Sequence, residues 1–168
     1  MSIFHIALTG HRPNNLAGYL LSHPFYQQLR QILMEIIEDH LQKYDTIICH
    51  CGMALGADTI WAEAIANMRH RYPSRVLFVA HIPCLNQESK WSTDAQQHYH
   101  ELLKHKDDAI IYAKSYTPTC MQKRNIGMIN DIDLLIAIWD GSRGGTANCI
   151  AAAKKQDISI LQIKPSDI

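Results

Sequence analysis

Six short runs of branched and apolar residues alternate along the chain with longer stretches patterned for helix. The runs fall at 3–8, 46–50, 76–81, 109–112, 134–139 and 158–163. They lack the strict in–out alternation of a half-exposed sheet, as expected of strands covered on both faces. Between 24 and 44, Phe25, Leu29, Ile32, Leu33, Ile36, Ile37 and Leu41 recur at helix spacing. Pro24 suits the first turn of that helix, where an N–H is not needed. Further helices are expected over 58–71, stopped by Pro73, and over 93–106, with Tyr99, Leu102 and Leu103 facing inward. Two more follow over 119–130, after Pro118, and over 147–156. Strands and helices that alternate in this way require parallel strands joined by right-handed crossovers. The expected fold is α/β and Rossmann-like: a doubly wound, mainly parallel sheet with helices on both faces, in one domain over 1–168.

Composition narrows the function. At 168 residues and 47% hydrophobic, the chain can bury a full-sized core without a dividing linker. Lys and Arg number 16 and so do Asp and Glu, so a general nucleic-acid partner, which normally needs a basic excess, is not expected. A small anion held by a few local cations is compatible with that balance. Cys49, Cys51, Cys84, Cys120 and Cys149 form an odd set in or beside apolar runs, which reads as reduced thiols. The N-terminus lacks the basic stretch and long apolar run of a signal peptide, and no run reaches membrane-spanning length. A cytoplasmic protein without a membrane partner is expected.

Glycine-containing turns sit directly after three of the strand-like runs and before helix-like runs. In an open α/β sheet these turns share the carboxyl edge, where ligands bind. The first is Thr9-Gly10-His11-Arg12-Pro13, in which Arg12 offers a forked donor for phosphate or carboxylate and His11 a further hydrogen bond. A solvated surface turn is the plain alternative. The second, Gly52 to Asp58, places Gly52 at a strand end and Gly56 before a helix. Asp58 there serves either as a helix cap or as an acceptor for ribose hydroxyls. The third runs from Asp140 and Gly141 to Arg143, Gly144, Gly145 and Thr146. It would form a nest of N–H donors at a helix start, with the Thr146 hydroxyl added and Arg143 at its mouth. None of these turns matches the dinucleotide fingerprint or a P-loop. Gln87, Trp91 and Tyr99 are candidates for a base or sugar pocket, with core packing the alternative for Trp91. Arg124 and Asn125 lie mid-helix, where solvation is the plain account.

Metal and nucleophile motifs are mostly absent. His100 to His105 is one residue too long for His-Glu-x-x-His, and no Gly-x-Ser-x-Gly elbow occurs. Cys49 and Cys51 flank His50 and share one face of a strand, without a second pair to complete a zinc site. No metal and no resident cofactor are expected.

Taken together, these pieces resemble the YpsA-like branch of the SLOG superfamily. The matching residues are Thr9 to Pro13, Gly52 to Asp58 with Trp61-Ala62-Glu63, and Gln87 with Trp91 and Tyr99. Arg124-Asn125 with Met128, Asp133, Trp139-Asp140-Gly141 and Gly144-Gly145-Thr146 complete the set. The resemblance implies a Rossmann-like domain that binds a nucleotide or nucleotide-derived ligand, to sense, carry or sequester it. It also implies Arg124 and Asn125 among the ligand-binding residues. Relatives often self-associate, and the apolar helices permit a homo-oligomer. The hydrolase branch of the superfamily carries Pro-Gly-Gly-x-Gly-Thr-x-x-Glu. Here Arg143 replaces the proline, the spacing is shorter and Cys149 stands in the glutamate's place. N-glycoside hydrolysis then lacks its usual carboxylate, and Glu63 or Glu88 would have to supply one for a nucleoside-phosphate N-glycosidase. A protein-interaction domain without ligand chemistry is the third reading.

Overall fold

A computed structural model describes residues Met1–Ile168. The elements follow the order β1 (Ile3–Gly10), α1 (Pro24–Leu41), β2 (Thr46–Cys51), α2 (Ala57–Arg71), β3 (Val76–Ile82), α3 (Thr93–Leu103), β4 (Asp108–Ile111), α4 (Cys120–Met128), β5 (Leu134–Ile138), α5 (Gly145–Lys155) and β6 (Ser159–Ile163). All strands are parallel, in the order β4-β3-β2-β1-β5-β6. The chain builds outward from β1 to β4, then returns to lay β5 on the other side of β1. That reversal opens a crevice between the carboxyl ends of β1 and β5.

The two faces of β1 divide the core. Ile6 and Leu8 pack into the larger cluster with α1, α2 and α3, which includes the fully buried Trp61, Tyr26 and Phe78. Ala7 points the other way, into a smaller cluster with Met128, Leu135, Cys149 and Ile150 beneath α4 and α5. Burial on both sides explains why the central strands read as continuous apolar runs.

Element boundaries differ from the sequence reading in specific ways. The face that α1 buries is Tyr26, Leu29, Leu33, Met34, Ile37 and Leu41, while Phe25, Ile32 and Ile36 lie at its margin. Tyr26 enters the core because its hydroxyl donates to the Gly18 carbonyl, removing the cost of burying a polar tip. The last helix begins at Gly145 rather than 147, with Gly144 at its N-cap. The helix over 93–106 ends at Leu103 and that over 119–130 at Met128. No helix is long and apolar enough to cross a membrane.

Candidate functional site: an anion cleft at the switch point

The registers bring the first and third glycine turns together. Gly10 at the end of β1 lies opposite Ile138 at the end of β5, and the His11 N–H donates to the Ile138 carbonyl at 3.2 Å. His11 is buried, and its Nε2 lies 2.8 Å from Asp140 Oδ1. Ser142 holds the Asp140 carboxyl below the usual carboxylate range through its hydroxyl and its N–H, and His11 adds to the effect. The histidine and the aspartate thus tie the loop after β5 to the loop after β1.

The second turn supplies the floor. Gly56 has φ +92°, and a Cβ there would meet the His11 carbonyl oxygen and lie 2.9 Å from Arg12 Cα. Glycine is therefore required for the second turn to close against the first. Arg124, from α4, is buried; its Nη1 donates to the Gly52 carbonyl and its Nε to Asn125 Oδ1 at 2.9 Å. A Cβ at Gly52 would collide with that guanidinium and lie 2.9 Å from Asp58 Oδ2. Asp58, also buried, accepts the Ala54 N–H at 3.1 Å. Burial raises its pKa, while Arg124, the Ala54 N–H and Arg12 oppose the rise.

The third turn forms the cation-rich wall. Gly144 adopts φ +141°, and nothing lies within 4 Å of the Cβ positions of Gly144 or Gly145. The first backbone bond of α5 from its N-cap is Asn148 N–H to the Gly144 carbonyl at 3.0 Å. The N–H groups of Gly145, Thr146 and Ala147 find no acceptor in the protein. These orphan donors sit at the positive end of the helix dipole. Arg12 and Arg143 line the same space and are exposed, and neither has an ion-pair or hydrogen-bond partner. The result is a cleft of about 340 Å³ lined by Gly10, His11, Arg12, Asp58, Arg124, Asn125 and the Arg143–Thr146 turn. Arg124 and Asn125 thus lie in the cleft, not on a solvated surface.

Other predicted residues fall elsewhere. Trp91 and Gly56 line an adjacent apolar cavity of about 410 Å³, together with Tyr99. Gln87 stands behind it, its Nε2 donating to Tyr99 Oη at 3.2 Å. Gly141, with φ +96°, turns the exposed loop after β5 without lining the cleft. Glu63 is not brought to the cleft: it binds Arg30 at 2.9 Å and His98 at 2.8 Å on the α1–α3 side of α2. Its position a turn and a half along the helix carries it away from the strand ends. Glu88 is buried against His100 at 3.3 Å and lines neither space. Cys149 is fully buried under the site, and burial pushes its thiol up to about 11, so it does not replace a catalytic carboxylate. Cys49 and Cys51 are core thiols in the larger cluster.

The sequence profile of the YspA SLOG family matches residues 6–168, from within β1 to the last residue of the chain. The chain belongs to the YspA SLOG family. Similar proteins include the uncharacterized SPbeta prophage-derived protein YoqJ of Bacillus subtilis strain 168, 28% identical over 80% of this chain and 85% of YoqJ. A UPF0398 protein of Bacillus thuringiensis strain Al Hakam is 30% identical over 90% of this chain and 82% of its own length. Among solved structures, DNA processing protein A from Helicobacter pylori, described for its single-stranded DNA binding mode, superposes with a TM-score of 0.63 at 17% identity. The superposition covers 96% of this chain and 65% of that one. DNA processing protein A from Streptococcus pneumoniae gives 0.62 at 12% identity, over 95% of this chain and 50% of its own. This SLOG chain therefore spans less than two thirds of those structural neighbours, and the likeness establishes the shared fold.

One polar feature of this SLOG domain escaped the sequence reading. On the α4 face of the sheet, His5 Nδ1 lies 3.0 Å from His50 Nε2, and His50 Nδ1 lies 2.9 Å from His81 Nε2. His81 Nδ1 lies 2.8 Å from the Tyr112 hydroxyl. Burial lowers the pKa of His50 to about 3, with His81 and His5 adding to it, and lowers that of His81 to about 4, with Arg124 adding to it. The signal in the sequence is a histidine at a same-face position on three successive strands, which becomes visible only once strand order and register are known.

Proposed function

We propose that the cleft binds the phosphate of a nucleotide or nucleotide-derived ligand, and that the domain senses, carries or sequesters that ligand. The observation that carries this reading is the unsatisfied N–H cluster opening α5, faced by the unpaired Arg12 and Arg143. Backbone donors and a helix dipole select for negative charge, and forked guanidiniums match phosphate oxygens. Asp58 takes a ribose hydroxyl, and Arg124, bonded to the Gly52 carbonyl, holds the Gly52 turn in place beside it. Calorimetry against nucleoside mono- and diphosphates, NAD and ADP-ribose tests the reading: stoichiometric binding that Arg143→Ala weakens supports it. No binding by any phosphate compound would remove it.

A second reading, hydrolysis of a nucleotide N-glycosidic bond, finds less support because Glu63 is tied to Arg30 and His98. Chromatography of the same mixtures for released base separates the two. Glu63→Gln is expected to leave phosphate affinity, read with pyrophosphate, unchanged, because Glu63 does not line the cleft. Single-stranded nucleic acid belongs in the ligand panel, because the Helicobacter pylori neighbour is described as binding single-stranded DNA. A single strand offers the same phosphates, so neutral net charge alone does not set it aside. Salt-dependent retention of an oligonucleotide, competed by nucleoside phosphates, would assign it to this cleft.

A further inference from the structure

We propose that the apolar cavity beside the cleft takes an aromatic base, so that one nucleoside phosphate spans both spaces across Ala54. The proposal rests on the phosphate reading of the cleft and adds the place and chemistry of the ligand's other end. Ala54 lines both spaces. Arg12 lines the cleft and the next residue, Pro13, lines the cavity. Consecutive Cα atoms are about 3.8 Å apart, so the two spaces meet at the Arg12–Pro13 backbone and at Ala54, where the ribose of a bridging ligand would sit.

The cavity wall suits a flat apolar group. Tyr26, Trp91 and Tyr99 line it, with Trp91 and Tyr99 edge to face at 5.3 Å and 87°. Its volume of about 410 Å³ lies within the usual range for small-molecule sites. The rim supplies an independent argument. Tyr19, Leu20 and Leu21 lie in succession on the loop before α1 with 71%, 67% and 37% of their surface exposed. Consecutive exposed apolar residues are costly in water and mark a surface that something covers. Gly18, with φ +82°, turns this rim, and the Tyr26 hydroxyl anchors it at the Gly18 carbonyl. A base in the cavity would lie under Tyr19 and against Trp91, covering what is otherwise left to solvent.

The test compares AMP and GMP with ribose 5-phosphate and pyrophosphate by calorimetry. It uses the wild-type chain, Ala95→Phe, which fills the cavity from a lining position in the first turn of α3, and Tyr19→Ala, which removes part of its rim. Nucleotides are expected to bind at least about tenfold tighter than ribose 5-phosphate, the usual worth of stacking one base. Ala95→Phe should erase that advantage and Tyr19→Ala reduce it severalfold, with ribose 5-phosphate and pyrophosphate bound as before. Retained pyrophosphate binding also reports that each variant is folded. Should Ala95→Phe not fold, Tyr19→Ala, altered at an exposed side chain, decides the matter. Nucleotides bound no tighter than ribose 5-phosphate, or an advantage that survives in the folded variants, would overturn the base site alone. Silence from ribose 5-phosphate, pyrophosphate and nucleotides together would overturn the phosphate reading, and the bridging ligand with it.

Discussion

Gly56 carries two demands at once: a backbone at φ +92° and a contact with the His11–Arg12 backbone that leaves no room for a Cβ. Gly56→Ala is expected to destabilise the fold by about 1–3 kcal/mol, measured by urea unfolding, because it forces strain and separates two turns. A neutral result would mean that the turns do not close on each other. Arg12 and Arg143 are the opposite case. Both are exposed and unpaired, so replacing either by alanine should move the unfolding midpoint little. Each substitution should nevertheless weaken a phosphate ligand by about 1–3 kcal/mol in calorimetry, as for a lost charged hydrogen bond. Residue identities of this kind were legible early: glycine where the turn needs it, arginine beside it. Burial of Arg124 and Asn125 was not, because mid-helix polar residues look solvated until the strand ends that they cover are known.

The start of α5 is a helix terminus left open, with its first N–H groups free. Thr146→Asp would place a carboxylate on those donors and at the favourable end of the dipole. It should stabilise the protein by about 0.3–1 kcal/mol in thermal unfolding while abolishing phosphate binding. Unchanged affinity would show that the ligand does not use this terminus. Strand runs and helix stripes were readable because burial on both faces leaves few polar interruptions, and all six strands fall where the apolar runs lie. The boundary of α5 was misplaced since Gly144 and Gly145 look like loop, although the second of them is already helical. Glu63 could not be placed from spacing alone. Whether a carboxylate on α2 points to the sheet edge or to α1 depends on how the helices pack, and Arg30 and His98 decide it here.

Across the whole molecule, acid stability is set in part beneath α4. His50 and His81 titrate at about 3 and about 4 in the fold, well below the ordinary value of 6.5 that they regain on unfolding. Between those limits the unfolded chain binds more protons, so stability is full above about pH 6.5 and falls as the pH drops toward 4. Thermal midpoints across that window should show the slope, and His81→Phe should flatten it even though it lowers the midpoint at neutral pH. A slope unchanged in that variant would place the acid sensitivity elsewhere. The file of rings has one more consequence. If the Tyr112 hydroxyl donates to His81, then His81 must donate onward to His50 and His50 to His5, so every imidazole carries its hydrogen on Nε2. Reverse one bond and all three imidazoles must move theirs to Nδ1. Four residues from four different strand regions thus share a single binary choice of polarity, and nitrogen chemical shifts should find the three rings in the same tautomer.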